Sequence, residues 1–484
     1  MTPAMQQFLK MKTEYTDSVL FFRIGDFYEL FFEDAKIASK VLDITLTSRG
    51  YDDDGKKIPL AGIPFHSYEP YLQKLLKSGY KVAIAEQTET PEEAKKRGYK
   101  AVVNRKVVRV VSPGTITEEV LLENSDHNFL MAIKKIGEKT VSAWADLSTG
   151  HFFCETSRES ISDFISRIQP SEIILSDAEN SFIELKKQFP EKCFTELSEN
   201  RFIANSQIEK LKDIFKVKDM NSFGDFSNEE LKVSGLVADY IYLNSKSQTI
   251  SFQKISRMTP ELYLQIDGTT RRSLELTISQ TGEKKNTLFS VINWTKTAGG
   301  KRLLKRFFDA PLTDLLRLKK RQDYIGYFIK SPVILDVLKP ILMEIPDLER
   351  ILSRLSLDKA NPRDLGALKQ TLSLLPKIAT SLQNSPFDFS KLTENLSNIF
   401  TKLKKSLQEE LPYLARSGNF IRSGFSPQLD TLHTLSKNGE SIIEQLRQKY
   451  ILQSKVQNLK IKLPIHILNA TNWSQFIIAS SGVL

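Results

Sequence analysis

Cysteine is nearly missing from this chain. Cys154 and Cys193 are the only two in 484 residues, which excludes a disulfide framework and a cysteine-ligated zinc cluster and fits a reducing cytoplasm. Long apolar runs are missing too. None reaches the roughly 20 residues of a membrane span, and the first residues show no basic-then-apolar leader, so no membrane partner is expected. The phosphate-loop consensus G-x-x-x-x-G-K-[ST], whose backbone amides cradle phosphates and whose hydroxyl holds magnesium, is also absent. Gly55-Lys56 continues with Lys57, and Gly300-Lys301 continues with Arg302. No cofactor is therefore expected in this chain.

What is present is ordinary for a globular protein: 40% hydrophobic and 26% charged residues. The length is too great for one core, so several domains are expected. The 68 basic residues exceed the 58 acidic ones for a formal charge of +10. That modest excess favours a polyanionic partner, nucleic acid first.

The chain turns on Leu20–Phe32, LFFRIGDFYELFF. The apolar run Val19–Phe22 reads as a buried strand. Gly25-Asp26 breaks it, and Asp26 is expected to N-cap a helix reaching about Leu42. Leu30, Phe31, Ala35, Ala38 and Leu42 would then form its core-facing stripe. Phe27 falls in the first turn, and Glu29 follows two residues later. Two readings of Phe27 stand side by side: a core side chain like its neighbours, or an aromatic wedge for the minor groove between base steps. In the second, Glu29 accepts a hydrogen bond from a displaced base; a carboxylate near phosphates serves discrimination, not affinity.

Around this stretch the pattern alternates strands and helices. Thr2-Pro3 starts a helix over Ala4–Tyr15. The run Ile44–Thr47 precedes a polar loop, Ser48–Lys57. Tyr68–Leu76 is a helix ended by Gly79, and Lys81–Ala85 and Lys106–Val111 are strands. Residues 1–115 thus form a mixed α/β domain. Its basic residues, among them Arg49, Lys56, Lys57, Arg105, Lys106 and Arg109, are either a solvated face or contacts to a phosphate backbone.

The run RIGDFYELFFEDAKIASKVLDITLT resembles the signature of the MutS family of DNA mismatch-repair proteins, whose mismatch-recognition domain carries a Phe-x-Glu motif. Phe27-Tyr28-Glu29 occupy that motif. The resemblance continues through AGIPFHSYEPYLQKLLKSGYKVAIAEQ and RKVVRVVSPGT, and later through TAGGKRLLKRFFDAPL and IPDLERILSRLSLDKANPRDLGALK. It implies that Phe27 is the wedge and that Glu29 contacts the mispaired base.

Ser112-Pro113-Gly114 marks a boundary. Phe129–Lys134, Thr140–Leu147 and His151–Glu155 then read as three strands, the last two joined at Ser148-Thr149-Gly150. A helix (Ser160–Ile168) and a strand (Glu172–Leu175) follow. This order is that of a ribonuclease-H-like sheet, the fold the resemblance implies for a connector domain over 116–250. Asp146 lies where a metal-dependent nuclease places its first carboxylate, and nuclease chemistry needs further carboxylates converging on it. No convincing partners are visible, so scaffold is the expectation. A helical core is expected over 251–448, with a first helix capped by Thr269 or Thr270 and carrying Leu274, Leu276 and Ile278. A long lever helix begins near Ile421–Pro427. Residues 449–462 resemble the start of a clamp domain. The tail 463–484 matches nothing of the pattern and suggests a frameshift at Lys462–Leu463.

For complete members the resemblance implies a homodimer on duplex DNA with mismatches or small loops. It also implies ATP and magnesium in a DNA-dependent ATPase domain, MutL and the sliding clamp as partners, and a bacterial, nucleoid-associated cytoplasmic location. Without a phosphate loop this chain is expected to be no enzyme: a truncated, mismatch-binding front half. The competing expectations are an inert or interaction-only fragment of an interrupted gene, and a ribonuclease-H-like nuclease at Asp146.

Overall fold

A seven-residue strand, β1 (Ser18–Ile24), lies inside the first sheet, and its run Val19-Leu20-Phe21-Phe22 is buried on both faces. In this computed structural model the described residues are 2–452, apart from 99–100, 123–125, 180, 246–249, 251, 384, 387–389, 438–443, 446–447 and 450–451. The expected clamp start and the unmatched tail lie outside the described residues except at Lys449 and Leu452. The chain divides into two units: 1–326 with 347–359, and 327–346 with the residues from 360 onward.

In the first unit, β1 pairs with β2 (Phe27–Phe31) and β5 (Lys81–Gln87); β3 (Thr47–Tyr51) and β4 (Lys57–Pro64) extend one side and β6 (Arg105–Val111) the other. The order is β3-β4-β2-β1-β5-β6, with only β1 and β5 parallel. One face packs on α2 (Phe32–Leu42) and α3 (Glu69–Lys77) through Phe21, Tyr28, Leu30, Ala38, Leu72 and Leu75. The other packs on α1 (Pro3–Glu14), whose Phe8 sits against Phe22 and Phe31 with ring centroids 5.7 and 5.1 Å apart. A short α4 (Pro91–Lys96) opens on a capping box at Thr90 and Glu93.

Two expectations fail here. No helix starts at Asp26. Gly25, with φ +58°, and Asp26 instead form a two-residue connection that sets Ile24 opposite Phe27. A glycine at the first position of such a turn suits the right-handed strand twist. The residues after it alternate as a strand does: Phe27 exposed, Tyr28 buried, Glu29 half-buried, Leu30 buried. The helix begins only at Phe32. Likewise the polar stretch Ser48–Lys57 is not a loop but most of a hairpin, β3 to β4, closed by Asp52, whose carboxylate accepts from the Lys56 amide at 2.7 Å.

The second sheet runs β11-β10-β7-β8-β9-β12. Its strands are β7 (Leu130–Ile136), β8 (Lys139–Asp146), β9 (His151–Ser157), β10 (Glu172–Ser176), β11 (Cys193–Leu197) and β12 (Ser256–Met258). The first three are antiparallel; β10 joins β7 in parallel. On one face lie α5 (Ile161–Ile168) and α6 (Phe182–Gln188); on the other, α7 (Glu199–Ile203), α8 (Ser206–Phe215) and α9 (Asn228–Ser245).

From residue 260 the described chain is mainly helical: α10 (Gly268–Ser273), α11 (Leu288–Ile292), α12 (Ala298–Asp309), α13 (Leu315–Lys330) and α15 (Leu348–Ser356), with α14 (Pro332–Met343), α16 (Pro362–Ser381), α17 (Ser390–Ser406) and α18 (Pro427–Lys437) continuing into the second unit. The cap of α10 is Asp267, not Thr269 or Thr270, and Leu274, Leu276 and Ile278 lie past its end. Glu275, at φ +45°, turns the chain there without a glycine to announce it. In the second unit, Leu338, Ile378 and Leu382 form a small core of their own.

Candidate functional site

The Gly25-Asp26 turn is braced from three directions. Arg23 donates from Nε to the Gly25 carbonyl at 2.8 Å and from Nη1 to Glu86 at 3.0 Å, while its guanidinium stacks on Phe65. The Phe65 amide donates to the Asp26 carbonyl at 2.8 Å. Arg105 donates to the Arg23 carbonyl at 2.6 Å. Below the turn the buried Tyr28 hydroxyl donates to Glu86. Burial, then the Glu86 charge, pushes that phenol far above its ordinary range. The sequence reading missed Arg23, Tyr28 and Glu86. Tyr28 and Glu86 are 58 residues apart, and no local pattern joins them.

On this braced strand Phe27 and Glu29 share one face, two residues apart. Opposite them on β1 stand Ile24 and Phe22. The cover that α1 gives to Phe22 and Phe31 stops short of Phe27, which is 49% exposed. Gly62 on β4 pairs with Glu29 and adds no side chain beside it. The Glu29 side chain keeps 15% of its surface, and Arg49 Nη1 spans its two oxygens at 3.0 and 3.2 Å. A half-exposed ring beside a carboxylate on a rigid strand can enter a stack of flat rings while the carboxylate accepts a hydrogen bond.

The six basic candidates separate. Arg49, Lys56, Lys57 and Lys106 are exposed. Arg105 is a strut: besides Arg23 it bonds Val103 at 2.8 Å and Gln7 at 3.3 Å and lies over the Phe22 ring. Arg109 is a correction. Its guanidinium is buried against Glu118; burial alone would weaken its charge, but Glu118 holds it above the ordinary arginine value. It offers nothing to a phosphate.

Asp146 is occupied as well. It is fully buried, and its carboxylate accepts from His127 Nδ1 at 2.9 Å, the Asn128 amide at 3.2 Å, the Ser148 amide at 2.9 Å and the Ser148 hydroxyl at 2.7 Å. Burial would raise its pKa, but these bonds hold it well below the carboxylate range. Burial also pushes His127 down to about 4, so the ring donates while neutral. With every lone pair engaged, Asp146 has none left for a metal; among the described residues, no group of three or more His, Cys, Asp or Glu could hold one. The joint to α15 is equally filled: Arg302 bonds Asp347 at 2.6 and 2.7 Å and Glu349 at 2.6 and 2.9 Å, and His151 reaches Glu349 at 3.2 Å.

Comparison with known proteins agrees with this architecture. Three family descriptions match in succession: MutS domain I over residues 2–120, MutS domain II over 128–255 and MutS domain III over 269–463. The chain is 39% identical over 469 residues to the DNA mismatch repair protein MutS of Ruegeria sp. (strain TM1040), covering 95% of this chain and 53% of the relative. It is 38% identical to the MutS proteins of Dinoroseobacter shibae and Ruegeria pomeroyi, over 470 and 473 residues and with the same coverage. It thus spans about half the length of the curated relatives it matches. Over that length, the chain belongs to the MutS family of DNA mismatch-repair proteins.

Proposed function

We propose that this chain recognises mismatched DNA by wedge insertion. Phe27 enters the minor groove and stacks on a mispaired or unpaired base, and Glu29 accepts a hydrogen bond from it. The duplex kinks at that step, because a defect lowers the unstacking cost by a few kcal/mol. Exposed Lys56, Lys57 and Lys106 supply sequence-independent attraction to phosphates. One observation carries the reading: the half-exposed ring sits on the strand whose turn is held by Arg23, Glu86 and Arg105.

The remaining parts of the proposal follow the family. The second sheet, with three antiparallel strands followed by a helix and a parallel strand, supports a ribonuclease-H-like connector. We place α18 at the base of a lever helix. The ligand is duplex DNA with a mismatch or small loop, and a second copy completes the grip; MutL and the sliding clamp belong to the complete architecture. ATP hydrolysis is not proposed for residues that contain no phosphate loop.

The test is binding of the purified chain to a duplex with one G·T pair or one unpaired T, against the matched duplex, across salt. The expected result is a mismatch preference that Phe27→Ala removes while salt-sensitive nonspecific binding persists. A preference that survives Phe27→Ala overturns the wedge assignment.

A further inference from the structure

Glu29 lies near two guanidinium groups that differ in freedom. Arg105 feels its charge but is fixed by bonds to Arg23, Val103 and Gln7 and by its stack on Phe22. Arg49 makes the direct ion pair, yet its side chain is 64% exposed, and among the described residues Glu29 is its one side-chain partner. It stands beside a bulge in β3, where the pairing with β4 shifts between Ser48 and Tyr51. Exposed pairs of this kind add little to stability. The consequence of this one therefore lies in what approaches it.

We propose that Arg49 is a specificity-setting counter-ion for Glu29. This rests on the wedge reading above and adds a partition of labour to it. On matched DNA no base offers Glu29 a donor, so its charge faces the phosphates and opposes binding. Arg49, left in place, masks that charge and limits the penalty. On a mismatch the displaced base donates to Glu29, and Arg49 is released from the pair. Rejection of matched DNA comes from the carboxylate; Arg49 sets how strong the rejection is.

The experiment is a double-mutant cycle in the full chain, read as the ratio of mismatched to matched duplex affinity for wild type, Arg49→Gln, Glu29→Ala and the double variant. Arg49→Gln exposes the carboxylate, so matched-duplex affinity falls more than mismatch affinity and the ratio rises about threefold or more. With Glu29→Ala already present, adding Arg49→Gln leaves the ratio unchanged within about twofold. Arg49→Lys keeps a positive charge and holds the ratio near wild type. A plain phosphate contact behaves differently: Arg49→Gln then lowers both affinities alike, by the same factor in either background, and reduces the salt slope by about one. That outcome, or a ratio that falls in Arg49→Gln, overturns the proposal and leaves the wedge standing. A wild-type chain without mismatch preference overturns both.

Discussion

Two carboxylates, each on a strand beside an aromatic ring, have opposite fates in this molecule. Asp146 closes β8 with His127 and Phe129 stacked above it, their centroids 4.5 Å apart, and four donors fill its oxygens. Glu29 lies on β2 beside Phe27 and, among the described residues, has one side-chain partner, the exposed Arg49. The first is a structural knot that can take no further ligand. The second keeps acceptor capacity at the surface, and capacity left open on a rigid frame is what a binding site needs. The comparison also separates two sequence-level suspicions that looked alike, a nuclease carboxylate and a base-contacting one.

Substitutions should pull the two regions apart. The largest expected effect on folding is at Asp146: Asp146→Ala strands buried donors and should cost about 3 kcal/mol or more in urea unfolding of the full chain. Mismatch preference, measured on the fraction still folded, should be unchanged. Phe27→Ala is the mirror image. It should shift unfolding by less than about 1 kcal/mol, because the ring is half-exposed, while bringing the mismatch-to-matched affinity ratio down to about one.

Acid sharpens the contrast. His127 is held near 4 when folded against an ordinary 6.5. Between those values the unfolded chain takes up a proton that the folded chain refuses. Stability is then full above about 6.5 and falls, as pH drops toward 4, by up to about 1.4 kcal/mol per pH unit. The difference in stability between wild type and His127→Gln, followed in melting curves from pH 7 to 4, should show this slope; buried Glu155 and Asp309, pushed up to about 7 and about 6, pull the other way equally in both chains. The smallest effect is at Glu29: Glu29→Ala should leave stability within about 0.5 kcal/mol, raise matched-duplex affinity a few-fold in filter binding, and lower discrimination.

Much of the fold was legible where local chemistry speaks for itself. Thr2 and Pro3 start α1 as their side-chain chemistry requires, Gly79 takes positive φ after α3, and the first three strands of the second sheet, β7, β8 and β9, fall within a residue or two of their apolar runs. What misled was overlap of signals. FYELFF carries both a helical stripe and a two-residue alternation, and Gly25-Asp26 serves equally as a helix start or a hairpin turn; the pairing with β4, where Glu29 meets Gly62, decided between them. Burial of charge was illegible for a related reason. The partners that take Arg109 and Asp146 out of service, Glu118 and His127, sit nine and 19 residues away, at spacings no helix or strand period relates. Phe27 and Glu29 are singled out by their motif, but the brace of Arg23, Tyr28 and Glu86 beneath them exists only in three dimensions.

The central claim is that Phe27 opens the base stack, and DNA bending reports that act directly. A duplex carrying one unpaired T, labelled with a donor and an acceptor dye at its ends, should shorten on binding the wild-type chain and stay extended on binding Phe27→Ala at saturating protein. Equal shortening by both, or none by either in a saturated complex, would contradict the account.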